Sequence, residues 1–400
     1  MGPPQDLILR GVRLVDARGL RAERADVTIL AGRIATIEPT KPGRPRPSDP
    51  EPEALTLDGL TIVPGLMNAH AHVSLDGSAD PDATYRSETG TQRAVRTARR
   101  LADVLRAGVT TIRDLGGPEE ILAIAAMVAA GEIEGPRMLA AGRVITITGG
   151  HGHWMGIEAD GADAVRRAAR QNIKAGASAL KLMATGGMMT AGRQAGVPQL
   201  TVDEMAAAVE EGHDRGLPVA AHAESDRGVK NALRAGVDSV EHGHGGDDSA
   251  IELFLERGAY LVPTILSDRR IIDGGVAAGV PAEVVEQCEA LHPQLTTLLG
   301  SAIRAGVRIA AGNDGGAPLV LVGEMVPELQ LYVDHGMTPL EALASATTVT
   351  ADLFRLRDVG LVEPGYVADL LVVDGDPLVS VAPLAQPRQV IQAGRLVPAV

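Results

Sequence analysis

The sequence predicts an α/β chain built on a (β/α)8 barrel, with a small β-domain assembled from both chain ends. Three observations carry this. Through residues 64 to 362 one phrase recurs: a helical stretch, a Gly, then four to eight apolar residues. Both ends instead show short alternating stretches of strand character. No Gly-x-Gly-x-x-Gly turn follows an apolar run, which counts against the alternative, a doubly wound open sheet.

Taken in order, "DLILRGVRLVDARGLRAERADVTILAGRIATIE" reads as β-hairpins broken at Gly and Asp-Ala-Arg-Gly. "TKPGRPRPSDPEPEA" (40–54) is a Pro-rich charged loop, and "LTLDGLTIVPG" returns to strands. The repeated phrase then appears as "RAGVTTIRD" (106–114), "KAGASALKLM" (174–183), "RGLPVAAH" (215–222), "RAGVDSVEH" (234–242), "RGAYLVPT" (257–264) and "RAGVRIAAGND" (304–314). Gly just past a helix end is the usual left-handed cap. The β-branched run after it reads as a buried parallel strand. Strands near 61–72 and at "RMLAAGRVI" (137–145) bring the count to eight. "EPGYVADLLVVDGDPL" and "RQVIQAGRLV" return to short strands. The expected division is 1–63 and 363–400 as two parts of one β-domain, and 64–362 as the barrel.

Composition narrows the partners. A net charge of −14 argues against nucleic acid and anionic membranes. No apolar stretch approaches the ~20 residues that span a bilayer. "MGPPQDLILRGVRLV" lacks the pattern of a signal peptide, so the cytoplasm is expected. Cys288 is the only cysteine, which excludes an intrachain disulfide and a Cys-based zinc site. The expected partners are a small-molecule substrate and further copies of the chain in a homo-oligomer.

The chemistry lies at the strand ends. His70 and His72, in "GLMNAHAHVSL", alternate on a strand and so leave it on one side. The fourth strand ends near Lys181, the fifth at His222, the sixth at His242 and the eighth at Asp314. In a barrel these C-terminal ends share one rim, where barrel active sites form. Read singly, each has an ordinary explanation: a hydrogen-bonded loop histidine, a turn aspartate, a paired lysine. Read together, four His, a Lys and an Asp on one rim describe a metal site. Lys181 stands out because only four of the 37 basic residues are Lys. A Lys inside "ASALKLMATGG" is costly to bury charged, and burial lowers its pKa. A neutral amine can take up carbon dioxide to give a carbamate, a carboxylate on a long arm that can bridge two divalent metals.

Seven stretches carry a resemblance: "VPGLMNAHAH", "GVTTIRDLGG", "ALKLMATGG", "AAHAESDRGVKNALRAGVDSVEHG", "AGNDGG", "TPLEALASATTVTADLF" and "GLVEPGYVADLLVVDGDPL". With these the chain resembles the amidohydrolase superfamily, most of all its binuclear prolidase-like branch. The resemblance implies a distorted (β/α)8 barrel with a β-sandwich from both termini. It implies two divalent ions, zinc expected: His70, His72 and Asp314 on one, His222 and His242 on the other, and carbamylated Lys181 between them. A hydroxide between the metals would be the nucleophile, with Asp314 shuttling its proton to the leaving nitrogen. His151, in "TITGGHGHW", matches the family's Gly-Gly-His-Gly motif and is the candidate contact to the carbonyl oxygen. His153 and Trp154 would line the pocket.

One departure bears on substrate. Many peptidase-like relatives have Tyr two residues after the fifth-strand His, where this chain has Glu224 in "HAESD". A carboxylate there favours an amine or hydrogen-bond donor over a substrate carboxylate. Arg193 is the candidate anion contact. The function expected is metal-dependent hydrolysis of an amide-type C–N bond, in a dipeptide or N-acyl compound. Two alternatives stand beside it. One is a cyclic-amide hydrolase or deaminase resembling imidazolonepropionase, against which Lys181 counts. The other is a non-catalytic metal-binding scaffold, against which the complete ligand set counts.

Overall fold

A computed structural model describes residues 6–40, 53–189 and 195–398. Most of the expected loop at 40–54, and Arg193, lie outside the described residues.

Both chain ends enter one eight-stranded sheet. Leu7–Asp16 pairs antiparallel with Gly19–Leu30, which pairs with Arg33–Pro39. The first turn closes where the Asp16 carboxylate accepts the Arg18 N–H at 2.9 Å. Thr61–Pro64 runs antiparallel to Leu370–Val373, with Ile62 opposite Val372, so three of the eight strands come from the C-terminal end. The alternation read in the sequence is the alternation of its buried face: Leu7, Leu9, Val27, Ile29, Ile62, Leu370 and Val372 share one apolar core.

Between the two ends every strand pair is parallel. One sheet holds Leu66–Ala71, Val109–Asp114 and Arg137–Ala140. The other holds Ile145–Thr146, Leu180–Met183, Val219–Ala223, Ser239–His242, Tyr260–Val262 and Arg308–Ile309 in chain order, with the short Ile157–Glu158 at its edge. Backbone bonds join the sheets on both sides: Ala69 N–H to Ala311 O at 2.7 Å, and Ser178 N–H to Ala140 O at 2.9 Å. The helices between strands start on capping boxes such as Thr201 with Glu204 and Thr338 with Glu341. They end on left-handed glycines such as Gly176 and Gly236. Among the described residues no helix is long and apolar enough to cross a membrane.

The third expected strand, 137–145, is broken. Arg137–Ala140 stays in one sheet and Ile145–Thr146 joins the other. Gly142 has φ +71°, and the buried Asn172 amide takes over the ladder's role there. Its Nδ2 donates to Arg143 O at 2.7 Å and its Oδ1 accepts from Arg143 N–H at 3.3 Å. A side-chain amide that satisfies a backbone residue on both sides lets the chain leave the sheet without orphaned polar groups.

The strand with the paired histidines is locked to the segment after the last strand by two buried asparagines. Asn68 Nδ2 donates to Asn313 Oδ1 at 2.7 Å and to Val322 O at 3.0 Å. Its Oδ1 accepts the His70 N–H at 3.1 Å. Asn313 Nδ2 donates to Leu321 O and Glu324 O. Asn68→Ala strands several buried donors and acceptors, each costing about 1–3 kcal/mol. Urea unfolding should show a loss of about 3 kcal/mol; a loss below about 0.5 kcal/mol, the range of ordinary surface substitutions, contradicts the lock.

Candidate metal centre and active site

The strand ends do converge. His70, His72, Lys181, His222, His242 and Asp314 line one cavity of about 150 Å³, together with His151, His153, Trp154 and Glu224. Ten of the eleven residues singled out in the sequence therefore share a single pocket, and Arg193 is the one left undescribed.

The protons on the four strand-end histidines are set by what stands behind each ring. His70 Nδ1 faces Glu241 Oε2 at 2.8 Å, and a carboxylate can only accept, so Nδ1 carries the hydrogen. His72 Nδ1 faces the Gly116 carbonyl at 2.9 Å, with the same result. His242 Nδ1 lies 2.7 Å from Thr264 Oγ1, whose own hydrogen goes to Pro263 O at 2.8 Å, so His242 must donate. His222 is turned the other way: Nε2 donates to Gly186 O at 3.3 Å. Burial, reinforced by the neighbouring cationic groups, holds His70, His222 and His242 well below the ordinary imidazole pKa. Each is a neutral ring with one bare nitrogen.

For the first pair the bare nitrogens meet. His70 Nε2 and His72 Nε2 are 3.3 Å apart, and Asp314 Oδ1 lies 3.3 and 3.5 Å from them. With both ring hydrogens spent at Nδ1, these three acceptors face one another with no proton between them. His222 and His242 form a second cluster with Glu224, their rings 4.6 Å apart. Both groups have the spacing and donor types to hold a metal ion. The sequence reading put Glu224 on the substrate; the structure sets its Oε1 3.8 Å from His222 Nε2. That is the nitrogen already committed to Gly186, on the far side of the ring from the bare one.

Lys181 sits among these groups, 1% exposed, and its Nζ has no hydrogen-bond partner among the described residues. Burial draws its ammonium down to about 8, against the opposing pull of Glu241 and Asp314. Asp314 takes a left-handed backbone, φ 55°, rare for a residue with a side chain. Burial also raises its carboxyl above the usual aspartate range. The Glu224 carboxyl rises well above its usual range, by burial first and then by repulsion from Asp268 and Asp314. His151 stacks on His222 with ring centroids 4.4 Å apart, and burial lowers it to about 3. At the outer wall Trp154 packs edge-on to Tyr85, 4.7 Å between centroids, and Arg86 lies 5.6 Å over the indole.

Three groups the sequence reading passed over also belong here. Glu241 and Arg113 stand behind His70, and Asp268 lines the cavity while accepting from His244 Nε2 at 2.9 Å. For Arg113 and Glu241 the signal was present: "TTIRD" and "SVEHG" each carry a full charge inside a buried strand, the feature that drew attention to Lys181.

With this geometry in place, comparison with known proteins becomes decisive. The amidohydrolase family matches residues 61–397. This chain belongs to that family. It is 31% identical to ochratoxinase of Aspergillus niger over 366 residues, spanning 82% of this chain and 73% of that protein. Among solved structures it resembles a Xaa-Pro dipeptidase with bound methionine in the active site: TM-score 0.89, 30% identity, 98% of this chain and 99% of that one. It also resembles a putative prolidase from Bifidobacterium longum: TM-score 0.86, 31% identity, 99% and 95% coverage. The chain is a hydrolytic enzyme acting on C–N bonds.

Gly187 bears directly on the pocket. A Cβ at this position would lie 2.5, 2.7 and 2.8 Å from three His151 ring atoms. Gly187→Ala should therefore push the imidazole off its seat against His222. Hydrolytic turnover should fall by about 100-fold, the scale of losing one donor to the reacting oxygen, with thermal unfolding near that of the parent. Unchanged turnover would mean that His151 does not touch the reacting atoms.

Proposed function

We propose that this amidohydrolase is a binuclear enzyme that cleaves an amide-type bond in a dipeptide or N-acyl compound. The observation that carries the reading is the set of imidazole tautomers: the bare nitrogens converge with Asp314, beside a Lys181 amine with no hydrogen-bond partner among the described residues. Such a constellation repels itself and is relieved by cations. His70, His72 and Asp314 would hold one ion, His222 and His242 the other, zinc suiting this donor set. A lysine drawn down to about 8 has an amine fraction able to add to carbon dioxide and lose a proton, and the resulting carbamate would lie between the two clusters.

Two divalent cations would supply Lewis acidity at the scissile carbonyl and an acidified water. The chain's own groups do the rest. Asp314, whose side chain keeps 15% of its surface open to the cavity, accepts the proton of the attacking water and returns it to the departing nitrogen. His151, neutral and seated against His222, orients the substrate carbonyl. Trp154 and His153 bound the outer part of the substrate. Glu224, beside the protonated face of His222 and with Oε2 unpartnered among the described residues, is read as a contact for an amine or other donor on the substrate.

The barrel and sandwich descriptions belong with this proposal. The backbone bonds joining the two parallel sheets support a distorted (β/α)8 barrel over 64–362. The pairing of Thr61–Pro64 with Leu370–Val373 supports a β-sandwich from 1–63 and 363–400.

The Lys181 role has a sharp test. Lys181→Ala should bind fewer than two metals and lose hydrolysis, and a small carboxylic acid should partly restore both. Lys181→Arg should resist rescue, because its guanidinium stays charged and fills the space. A Lys181→Arg enzyme with two ions and normal turnover would sink the binuclear reading. Likewise His70→Ala and His222→Ala should each lower metal content and abolish activity.

Glu224→Gln separates its two conceivable places. As a substrate contact it should leave metal stoichiometry intact and raise KM for amine-bearing substrates by about tenfold, the scale of one charged hydrogen bond. A drop in metal content at unchanged KM would instead make Glu224 a ligand. A panel of dipeptides, N-acyl amino acids, lactams and ureas supplies the substrates.

A further inference from the structure

Behind the candidate metal centre lies a buried ion pair that the proposed mechanism does not use. Arg113 and Glu241 come from two different parallel sheets and neither has any exposed surface. Arg113 Nη2 donates to Glu241 Oε1 at 2.9 Å and to Ser239 Oγ at 3.1 Å. Ser239 Oγ donates to the same Oε1 at 2.5 Å. Arg113 Nε donates to Ala69 O at 2.8 Å, gripping the backbone just before His70. The guanidinium carbon lies 5.6 Å over the Phe354 ring. Oε1 is thus filled by two donors, and Oε2 is left to His70 Nδ1 at 2.8 Å.

From this geometry we infer that Glu241, clamped by Arg113 and Ser239, is a positioning residue that fixes the tautomer of His70 and so sets the metal affinity of the first cluster. This rests on the reading of His70 as a metal ligand. A buried ion pair is seldom the most stable filling for a core, so its placement here calls for another role. Arg113 and Ser239 both donate to Oε1, which turns Oε2 toward His70. A carboxylate offers only acceptors, so the ring hydrogen is held at Nδ1 and Nε2 stays bare. A carboxylate behind a ligating imidazole also raises its basicity.

Glutamine has nearly the same shape but opposite requirements. If its oxygen turns to Arg113 and Ser239, its NH2 faces His70 Nδ1, which must then accept, and the ring hydrogen moves to Nε2. If the oxygen turns to His70, the NH2 meets the guanidinium donor to donor. No rotamer keeps both the Arg113 contact and the Nδ1–H tautomer of His70.

The test is cobalt binding to metal-free protein, followed by visible absorption, with 15N spectra of histidine-labelled protein. Glu241→Gln should weaken cobalt binding by about 10- to 100-fold, the usual effect of losing such a partner. In the metal-free protein the His70 ring should shift from the Nδ1–H to the Nε2–H pattern. Because that variant leaves the Arg113 charge buried and uncompensated, the double variant Arg113→Met with Glu241→Leu, which leaves no acceptor behind His70, is measured alongside. It removes the stranded charge, so it should unfold close to the parent temperature and still bind cobalt 10- to 100-fold more weakly. If the parent binds cobalt and a folded variant binds it equally well with His70 unchanged, the inference is overturned. If the parent itself binds no cobalt, the metal-ligand reading of His70 fails first.

Discussion

The site depends on the commitment of the outward nitrogen of each histidine. A free imidazole exchanges its hydrogen between two nitrogens, and a site built from free imidazoles would have no defined polarity. Here a carboxylate, a backbone carbonyl, a threonine hydroxyl with its own hydrogen spent elsewhere, and a second carbonyl each remove that choice. Electron pairs are thereby aimed into a space of about 150 Å³ that Lys181 also lines. Burial holds His70, His222 and His242 well below the ordinary imidazole pKa, so these three rings are neutral.

That arrangement needs a frame able to hold opposed acceptors together. Part of the frame is the parallel strands, whose ends bring residues 70 and 314 within hydrogen-bond range. Part is the asparagine pair, which ties the first of these strands to the chain around residue 313 beside the backbone bonds from Ala69 to Ala311 and from His72 to Gly315. Buried amides are costly when unpaired, but fully paired they fix a register that apolar contacts would leave free to slide. The left-handed backbone at His242, Thr264 and Asp314 is strain of the kind that collects at functional sites.

Much of this was legible in the sequence, and for identifiable reasons. Gly after a helix and before an apolar run is a local signal, and the helix ends at Gly176 and Gly236 follow it. His, Lys and Asp at strand ends are conspicuous because apolar runs contain few such residues. The third strand misled because the residue that breaks it, Asn172, lies about thirty positions away on a helix and looks like any surface amide. Arg113 and Glu241 were passed over because the search followed strand ends. Both lie a residue or more inside the strand, where a charge reads as an interruption until its partner from another sheet is seen. Glu224 was legible as a departure from relatives, but its position behind the His222 ring, away from the bare nitrogen, needed coordinates.

The broken third strand has a consequence for how such an enzyme can change. Once Asn172 has released the chain, Ile145–Thr146 and Ile157–Glu158 pair with each other and pinch off the segment between them. That segment carries His151, His153, Trp154 and Met155 into the cavity, while none of the strand-end ligand candidates lies on it. A loop closed at its base by its own ladder can be lengthened or rewritten at small entropic cost. This loop and the strand-end ligand candidates are therefore anchored on separate pieces of chain. Within residues 147–156, changes that spare His151, which stacks on His222, leave the strands that carry the ligand candidates untouched.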